Sequence, residues 1–201
     1  MKNIIIRIII LTFFPLLGVQ ALAQSKGADK SGLFLIDFNS IVGWGNSQIS
    51  TDANVPSIGT FGLGIGLGIN IKKVSIGLSY DYRVLTQFSD VNAAVGNRRG
   101  TFVSPASLLF RINFEKLNFE FLLISNGTYD LTNITAAGKK VVYTDPSGIR
   151  FSIMFKKLAR FNPVIFFESV NFSGQLLDGV KATLGNPLSY SNFGAGLKYE
   201  F

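Results

Sequence analysis

The residues FGLGIGLGIN (61–70) restrict the fold of this chain more than any other stretch. Glycine occupies positions 62, 64, 66 and 68, and a large apolar residue fills each position between them. A period of two is the period of a β-strand, whose successive side chains point to opposite faces. Four glycines would weaken a helix by about 1 kcal/mol each, and their spacing does not match the G-x-G-x-x-G nucleotide fingerprint. The stretch therefore predicts a strand with one apolar face and one face of very small residues.

Two short connections extend this pattern to whole hairpins. If the Lys-Lys pair at 72–73 is a two-residue turn, the apolar residues before it lie opposite apolar or aromatic residues after it. If the Glu-Lys pair at 115–116 is another, phenylalanines face each other on one side and Arg111 faces Glu120 on the other. A shift of one residue would mix the two sets, so the pattern itself predicts the register of both hairpins.

The same alternation recurs along the chain. Connections at 72–73, 115–116 and 157–162 are short, whereas those at 45–57, 86–100, 129–147 and 174–188 are long and rich in Gly, Asn, Ser, Thr and Asp. Short connections on one side and long ones on the other are typical of a transmembrane β-barrel. The fold class predicted is all-β, an up-and-down antiparallel barrel of eight strands, at 33–44, 58–71, 74–85, 101–114, 117–128, 148–156, 163–173 and 189–201.

A ten-stranded barrel is the alternative, because a long connection can hide a strand. The segment KKVVYT (139–144) is the best candidate for one. We expect instead that this segment extends an eight-stranded barrel above the membrane.

The N-terminus predicts export. Lys2 precedes the apolar stretch IIILTFFPLLGV (8–19), and ALA (21–23) resembles a cleavage site. We therefore divide the chain into a signal peptide (1–23), a polar leader (24–32) and a barrel (33–201); an N-terminal membrane anchor is the alternative for the first segment. The chain has no cysteine, which excludes a disulfide framework and a lipidated cysteine.

Composition indicates which face of the barrel meets which solvent. Charged residues make up 15% of the chain, against roughly 25% in soluble proteins, and hydrophobic residues make up 47%. A soluble barrel, the alternative, would carry its charges outside. Here the polar face is mostly Gly, Ser and Asn, too small and too neutral for a soluble exterior, so we expect the apolar face to meet lipid.

The C-terminal residues FGAGLKYEF (193–201) carry a more specific signal. Apolar residues alternate up to the terminal aromatic, and Leu197, Tyr199 and Phe201 share one face. In this the chain resembles the small bacterial outer-membrane β-barrels of the OmpA, OmpX and OmpW kind. The resemblance implies location in the outer membrane of a Gram-negative cell, contact with periplasmic chaperones, and recognition of Leu197, Tyr199 and Phe201 by the barrel-assembly machinery.

Two features of the barrel wall follow as expectations. Aromatic residues suit interfacial girdles, with Trp44, Tyr80, Tyr82 and Tyr129 at the outer end and Phe114, Phe155 and Tyr199 at the inner end. The seventh strand is irregular, because VIFFESVNF (164–172) does not keep one phase if Glu168 faces inward. A bulge near Ser169 would turn Glu168 inward; otherwise it faces outward near an interface.

Catalytic chemistry is not indicated. The chain has no histidine, and a serine without a base is not a nucleophile. Asp81 and Glu120 suit interior ion pairs better than acid–base catalysis, and no cluster of metal ligands is visible. We therefore predict no enzyme activity and no cofactor.

The net charge of +7 does not indicate nucleic acid, because the cations do not cluster in a binding motif. Arg98, Arg99, Lys139 and Lys140 are expected to lie in solvated loops; contact with lipopolysaccharide phosphates is the alternative for these cations.

The remaining charges are predicted to form a network inside the barrel: Asp37, Asp81, Arg83, Arg111, Glu120, Arg150, Lys198 and Glu200. Because eight strands leave an interior that side chains can fill, such a network would plug the lumen. The leading hypothesis is an integral barrel with a structural, envelope-stabilising or surface-binding role. The alternatives are a narrow channel for ions or small apolar molecules, as in OmpW, and adhesion through the long loops.

Overall fold

The computed structural model describes residues 33–48, 57–88, 97–131, 140–156 and 161–201. The predicted signal peptide and leader lie outside the described residues. The described residues form nine strands: β1 (Phe34–Ser47), β2 (Ser57–Ile71), β3 (Val74–Phe88), β4 (Arg98–Asn113), β5 (Leu117–Ile124), β6 (Thr128–Leu131), β7 (Val141–Phe155), β8 (Phe161–Leu177) and β9 (Val180–Glu200).

These strands close into an antiparallel up-and-down barrel with eight positions around its circumference. Strands β5 and β6 share one position, because both lie between β4 and β7. Strand β9 pairs with β1, from Asp37 opposite Glu200 to Ser47 opposite Tyr190, so no open edge remains along that length. The predicted eight-stranded barrel is confirmed, and the predicted fifth strand is one position divided around Gly127, whose φ is 139°.

Both predicted hairpin registers are present. Ile71 lies opposite Val74 across the turn at 72–73, and Arg111 lies opposite Glu120 across the turn at 115–116. We place these short turns at the bottom of the barrel and the long connections at the top.

The upper part of the barrel contradicts one prediction. Residues 174–188, expected to be a loop, belong to a hairpin of β8 and β9 whose turn is Asp178-Gly179. Both residues have positive φ, 50° and 85°, as the favoured type I′ turn requires, and Asp-Gly is a typical sequence for it. The Asp178-Gly179 pair is a local signal for this turn, but it lies within a polar stretch that favours a loop. Strand β7 begins at Val141, so residues 141–144 extend this side of the barrel upward, as expected; Lys139 lies outside the described residues.

One irregularity positions the lumen side chains of β4. Ser79 lies opposite Ser107 and Asp81 lies opposite Ser104, so β4 holds one extra residue between these pairs. This β-bulge at Pro105 and Ala106 shifts the phase of β4, and both serines point inward as a result.

The outer surface is apolar over the height of a membrane. On β2 the six large residues from Phe61 to Ile71 face outward, whereas Gly62, Gly64 and Gly66 face inward. Eleven tilted strand residues span about 25 Å, the height of the apolar band on transmembrane barrels. Large side chains on other strands continue the band, among them Val42, Leu78, Leu108, Leu123, Phe167 and Leu197. The apolar face therefore meets hydrocarbon, as the composition indicated. Among the described residues no helix is long and apolar enough to cross a membrane.

The girdle prediction holds in part. Trp44 is exposed at the upper end and stacks on Phe88 at 4.7 Å between ring centroids, and Tyr80 and Tyr82 also face outward. Tyr129 does not: it is fully buried inside the barrel, because β6 turns this side chain toward the lumen. At the lower end Phe114 is exposed, and Phe155 and Tyr199 are half-buried.

Candidate functional site

The lumen is the candidate functional site, and the glycines of β2 make it possible. An added Cβ at Gly66 would lie 2.6 Å from the Asp37 carboxylate, and one at Gly64 would lie 2.8 Å from Asp81. At Gly62 a Cβ would lie 3.0 Å from Arg83. Charged side chains from β1 and β3 therefore lie across the inner face of β2, where any larger residue would collide with them. This accounts for Gly62, Gly64 and Gly66, whereas a Cβ at Gly68 would meet the backbone of β3, at 2.4 Å from the Ile76 carbonyl oxygen.

The lower layer of the lumen consists of Asp37, Arg111, Glu120, Lys198 and Glu200. Arg111 donates through Nε to Glu120 at 2.9 Å and through Nη1 to Glu200 at 2.6 Å, and its Nη2 pairs with Asp37. Lys198 donates to both carboxylate oxygens of Glu120, at 2.6 and 2.7 Å. Three acids thus surround two cations.

The upper layer consists of Asp81, Arg83, Arg150, Glu168 and Tyr190. Glu168 accepts from Arg83 at 2.5 Å, from Arg150 at 2.9 Å and from the Tyr190 hydroxyl at 2.8 Å. Arg150 also donates to Asp81 at 3.2 Å, and Arg83 lies 3.4 Å from the other oxygen of Asp81. Two acids and two cations therefore alternate in a closed ring.

An aromatic cluster lies above the upper layer. Phe102 packs edge-on against Phe172 at 5.6 Å, and Tyr129, Tyr143 and Tyr190 pack around the same Phe172. Aliphatic side chains of six strands surround these rings: Ile58, Leu85, Ile124, Leu131, Val141 and Val170. The guanidinium of Arg83 lies over the Phe102 ring at 5.1 Å, so the apolar cluster directly continues the charged layers.

The structure brings all eight predicted network residues into the lumen. Seven of them are almost fully buried, and Glu200 is the most exposed at the lower end. They form two layers, however, and no local sequence pattern indicates this division.

Glu168 and Tyr190 complete the upper layer. Glu168 faces inward without the expected bulge near Ser169, because the β8 ladder runs unbroken from Val164 to Phe172. The strand keeps one phase because its inward face is not uniformly polar. In fact Val164, Phe166, Val170 and Phe172 share the inward face with Glu168, and its irregularity lies beyond Phe172. Tyr190 is not among the predicted network residues, although it lies on the same inward face of β9 as Lys198.

The chemistry available in this lumen is ion pairing. Each of the four buried cations faces at least one carboxylate within 4 Å, and the carboxylates are held by several donors at once. Among the described residues no group of three or more acidic side chains is arranged to hold a metal ion. Several buried amides, including Asn39, Asn118 and Asn192, have a side-chain atom with no protein partner.

No family model matches this chain, and no curated protein matches it. Solved structures of similar fold include Neisserial surface protein A, with 10% identity, 86% of this chain and 100% of that chain covered, and a TM-score of 0.45. The outer membrane protease OmpT from Escherichia coli has 10% identity over 85% and 94% of the two chains, with a TM-score of 0.37. Ail of Yersinia pestis, solved with the heparin analogue sucrose octasulfate, has 17% identity over 83% and 97%, with a TM-score of 0.38.

At these identities the likeness does not extend to any activity, and it does not single out the OmpA, OmpX and OmpW kind. The closed eight-position barrel with an apolar outer band is itself the architecture of a small outer-membrane β-barrel.

Proposed function

We propose that this protein is an integral outer-membrane barrel with a structural, envelope-stabilising or surface-binding role, and that its lumen is plugged. The single observation that carries this proposal is the filling of the lumen by two ion-paired layers with an aromatic cluster above them. An ion crossing the barrel would have to break buried ion pairs and then pass an apolar cluster that offers no replacement for its hydration shell.

The outer surface supports the location. Large apolar side chains face outward on the described strands over about 25 Å, and a closed barrel satisfies its backbone groups within that height. An outer membrane is the expected site, because the N-terminus predicts export. Lipopolysaccharide contacts through Arg98, Arg99 and neighbouring cations remain part of this proposal.

The C-terminus supports assembly by the barrel-assembly machinery. The Phe201 amide donates to the Ile36 carbonyl at 3.1 Å, and its ring lies 5.5 Å from Phe38 and 4.8 Å from Tyr199. Phe201 therefore lies on the outside of the seam where the last strand meets the first. We propose that Leu197, Tyr199 and Phe201 form the recognised strand end.

Conductance in a planar bilayer tests the plug. The wild-type barrel should show no discrete conductance steps after insertion, which heat-modifiable migration verifies separately. Steady steps in the wild type that change size in the Arg83→Gln/Glu168→Gln variant would overturn the plug and establish a narrow conduit through the upper layer.

Deleting Phe201 tests assembly: the amount of folded barrel in outer-membrane fractions should fall, whereas refolding of the purified variant in detergent should not.

A further inference from the structure

Four exposed lysines at the bottom of the barrel form no ion pair with any carboxylate of the described residues. Lys72 and Lys73 form the β2–β3 turn, Lys116 lies in the β4–β5 turn, and Lys156 follows β7; all four are exposed. We call these four lysines the basic rim. Among the described residues none of them pairs with a carboxylate within 4 Å, and the Lys156 ammonium donates to the Phe114 carbonyl at 2.9 Å.

Acidic groups at this end are few. Among the described residues, Glu115 is exposed in the β4–β5 turn, and Glu200 is bound by Arg111 and Asn162. The bottom of the barrel therefore carries a net positive charge.

The top of the barrel is different. Lys140 pairs with Asp130 at 2.8 Å, and Lys181 pairs with Asp145 at 3.1 Å. The hydrogen bonds that Lys181 and Thr144 donate hold the pKa of the exposed Asp145 carboxyl below its ordinary value. These two exposed lysines at the top are therefore matched by acids of the protein itself, whereas the lysines of the basic rim are not.

The basic rim is placed at the level of lipid headgroups. Lys72 directly follows Ile71, the last outward residue of the apolar band on β2, and Lys116 lies two residues beyond the exposed Phe114. Lysine side chains at this depth extend their ammonium groups to the interface while their methylene stems stay in the apolar layer.

The four lysines are also distributed around the circumference. The eight positions of the barrel have four junctions at the bottom, and lysines occupy three of them; the fourth is where the first and last strands meet. Because the lysines lie apart around the barrel, each next to its own lipid-facing surface, they suit several small anions better than one extended polyanion.

We propose that the basic rim binds anionic phospholipid headgroups in the leaflet that contacts the short turns. This proposal rests on the proposed function, because it requires a membrane-embedded barrel with its short turns in the periplasmic leaflet. Each lysine would hold a phosphodiester by charge and hydrogen bonding, and the shell of lipids around the lower half of the barrel would be enriched in anionic species. A lysine near an anionic surface contributes about a fivefold preference at low salt.

Lipid selectivity measured by electron spin resonance tests the basic rim. The full protein is folded into phosphatidylcholine vesicles that contain trace spin-labelled phosphatidylglycerol or spin-labelled phosphatidylcholine. The ratio of the two association constants, averaged over the barrel surface, should exceed one at low salt and should fall as salt screens the lysines.

The matched variants separate the two ends. Lys72→Asn/Lys73→Gln/Lys116→Gln should reduce the ratio to about one; asparagine suits position 72, where φ is 56°, and Lys156 is kept because it bonds to the backbone. Lys140→Gln/Lys181→Gln removes two cations that already pair with acids at the top and should leave the ratio unchanged.

Each other outcome overturns the proposal. A wild-type ratio near one, a triple variant that retains selectivity, or loss of selectivity in the top-end control would do so. The proposal would also fail if the wild type showed no lipid preference but co-sedimented with purified peptidoglycan, and if the rim variant did not. The partner of the basic rim would then be a wall polymer. The total number of motion-restricted lipids per barrel reports insertion independently, so failure of the membrane-barrel proposal would be seen separately.

Discussion

The two charged layers of the lumen differ in charge balance and in contact with solvent. The upper layer holds two cations and two acids, none more than 3% exposed, and aromatic rings cover both arginines: Arg83 lies over Phe102 and Arg150 over Phe166. The lower layer holds two cations and three acids, and its third acid, Glu200, is 27% exposed at the barrel mouth.

This difference shows where unbalanced charge is tolerated. A buried carboxylate without a partner costs several kcal/mol, so the layer sealed by aromatic rings has matched charges. The lower layer can hold an extra acid because water reaches that acid. We therefore expect substitutions to be most damaging where the layer is sealed and least damaging at the mouth.

Removing Glu168 should have the largest effect. Glu168→Ala leaves Arg83, Arg150 and the Tyr190 hydroxyl without their shared acceptor, in the part of the lumen with least access to water. The free energy of unfolding should fall by about 3–5 kcal/mol in urea titrations of the barrel in lipid vesicles. A loss no larger than that of a mouth substitution would show that the upper layer is hydrated.

Arg111 and Glu120 should depend on each other in the lower layer. Arg111→Ala and Glu120→Ala should each destabilise the barrel by about 3 kcal/mol, and the double variant should cost less than their sum, because each leaves the other charge unpaired. The coupling should be incomplete, since Asp37, Glu200 and Lys198 supply other partners. Additive costs in a double-mutant cycle would contradict the ion pair.

The glycine row should respond through Asp37. Gly66→Ala places a methyl group 2.6 Å from the Asp37 carboxylate and should cost about 1–3 kcal/mol by overpacking. In an Asp37→Ala background the same substitution should cost clearly less, because the colliding group is gone. Equal costs in both backgrounds, measured by the same urea titration, would mean that the glycine serves the backbone and not the charge.

The smallest effect is expected for Glu200→Gln. This side chain shares Arg111 with two other acids and is partly exposed, so its ion pair should contribute less than about 1 kcal/mol. A loss comparable to that of Glu168→Ala would remove the distinction between the sealed layer and the mouth.

The sequence alone determined the barrel, its faces and two of its hairpin registers. These depend on a period of two and on turns of two residues, and both are local properties that neighbouring residues display directly. For the same reason the opposition of Arg111 and Glu120 could be predicted: both lie within six residues of one turn. The Asp-Gly turn at 178–179 was equally local and could have been found.

Only the tertiary structure decided which charges meet across the lumen. Arg111 reaches Glu200 over 89 residues, and Arg83 reaches Glu168 over 85, through a closure that no local pattern encodes. The orientation of Glu168 was decided in the same way. Its strand carries apolar side chains inward, and these are stable there because aromatic rings from β4, β6, β7 and β9 meet them in the closed barrel. Alternation shows that a strand has two faces, but the contents of the enclosed space depend on every strand at once.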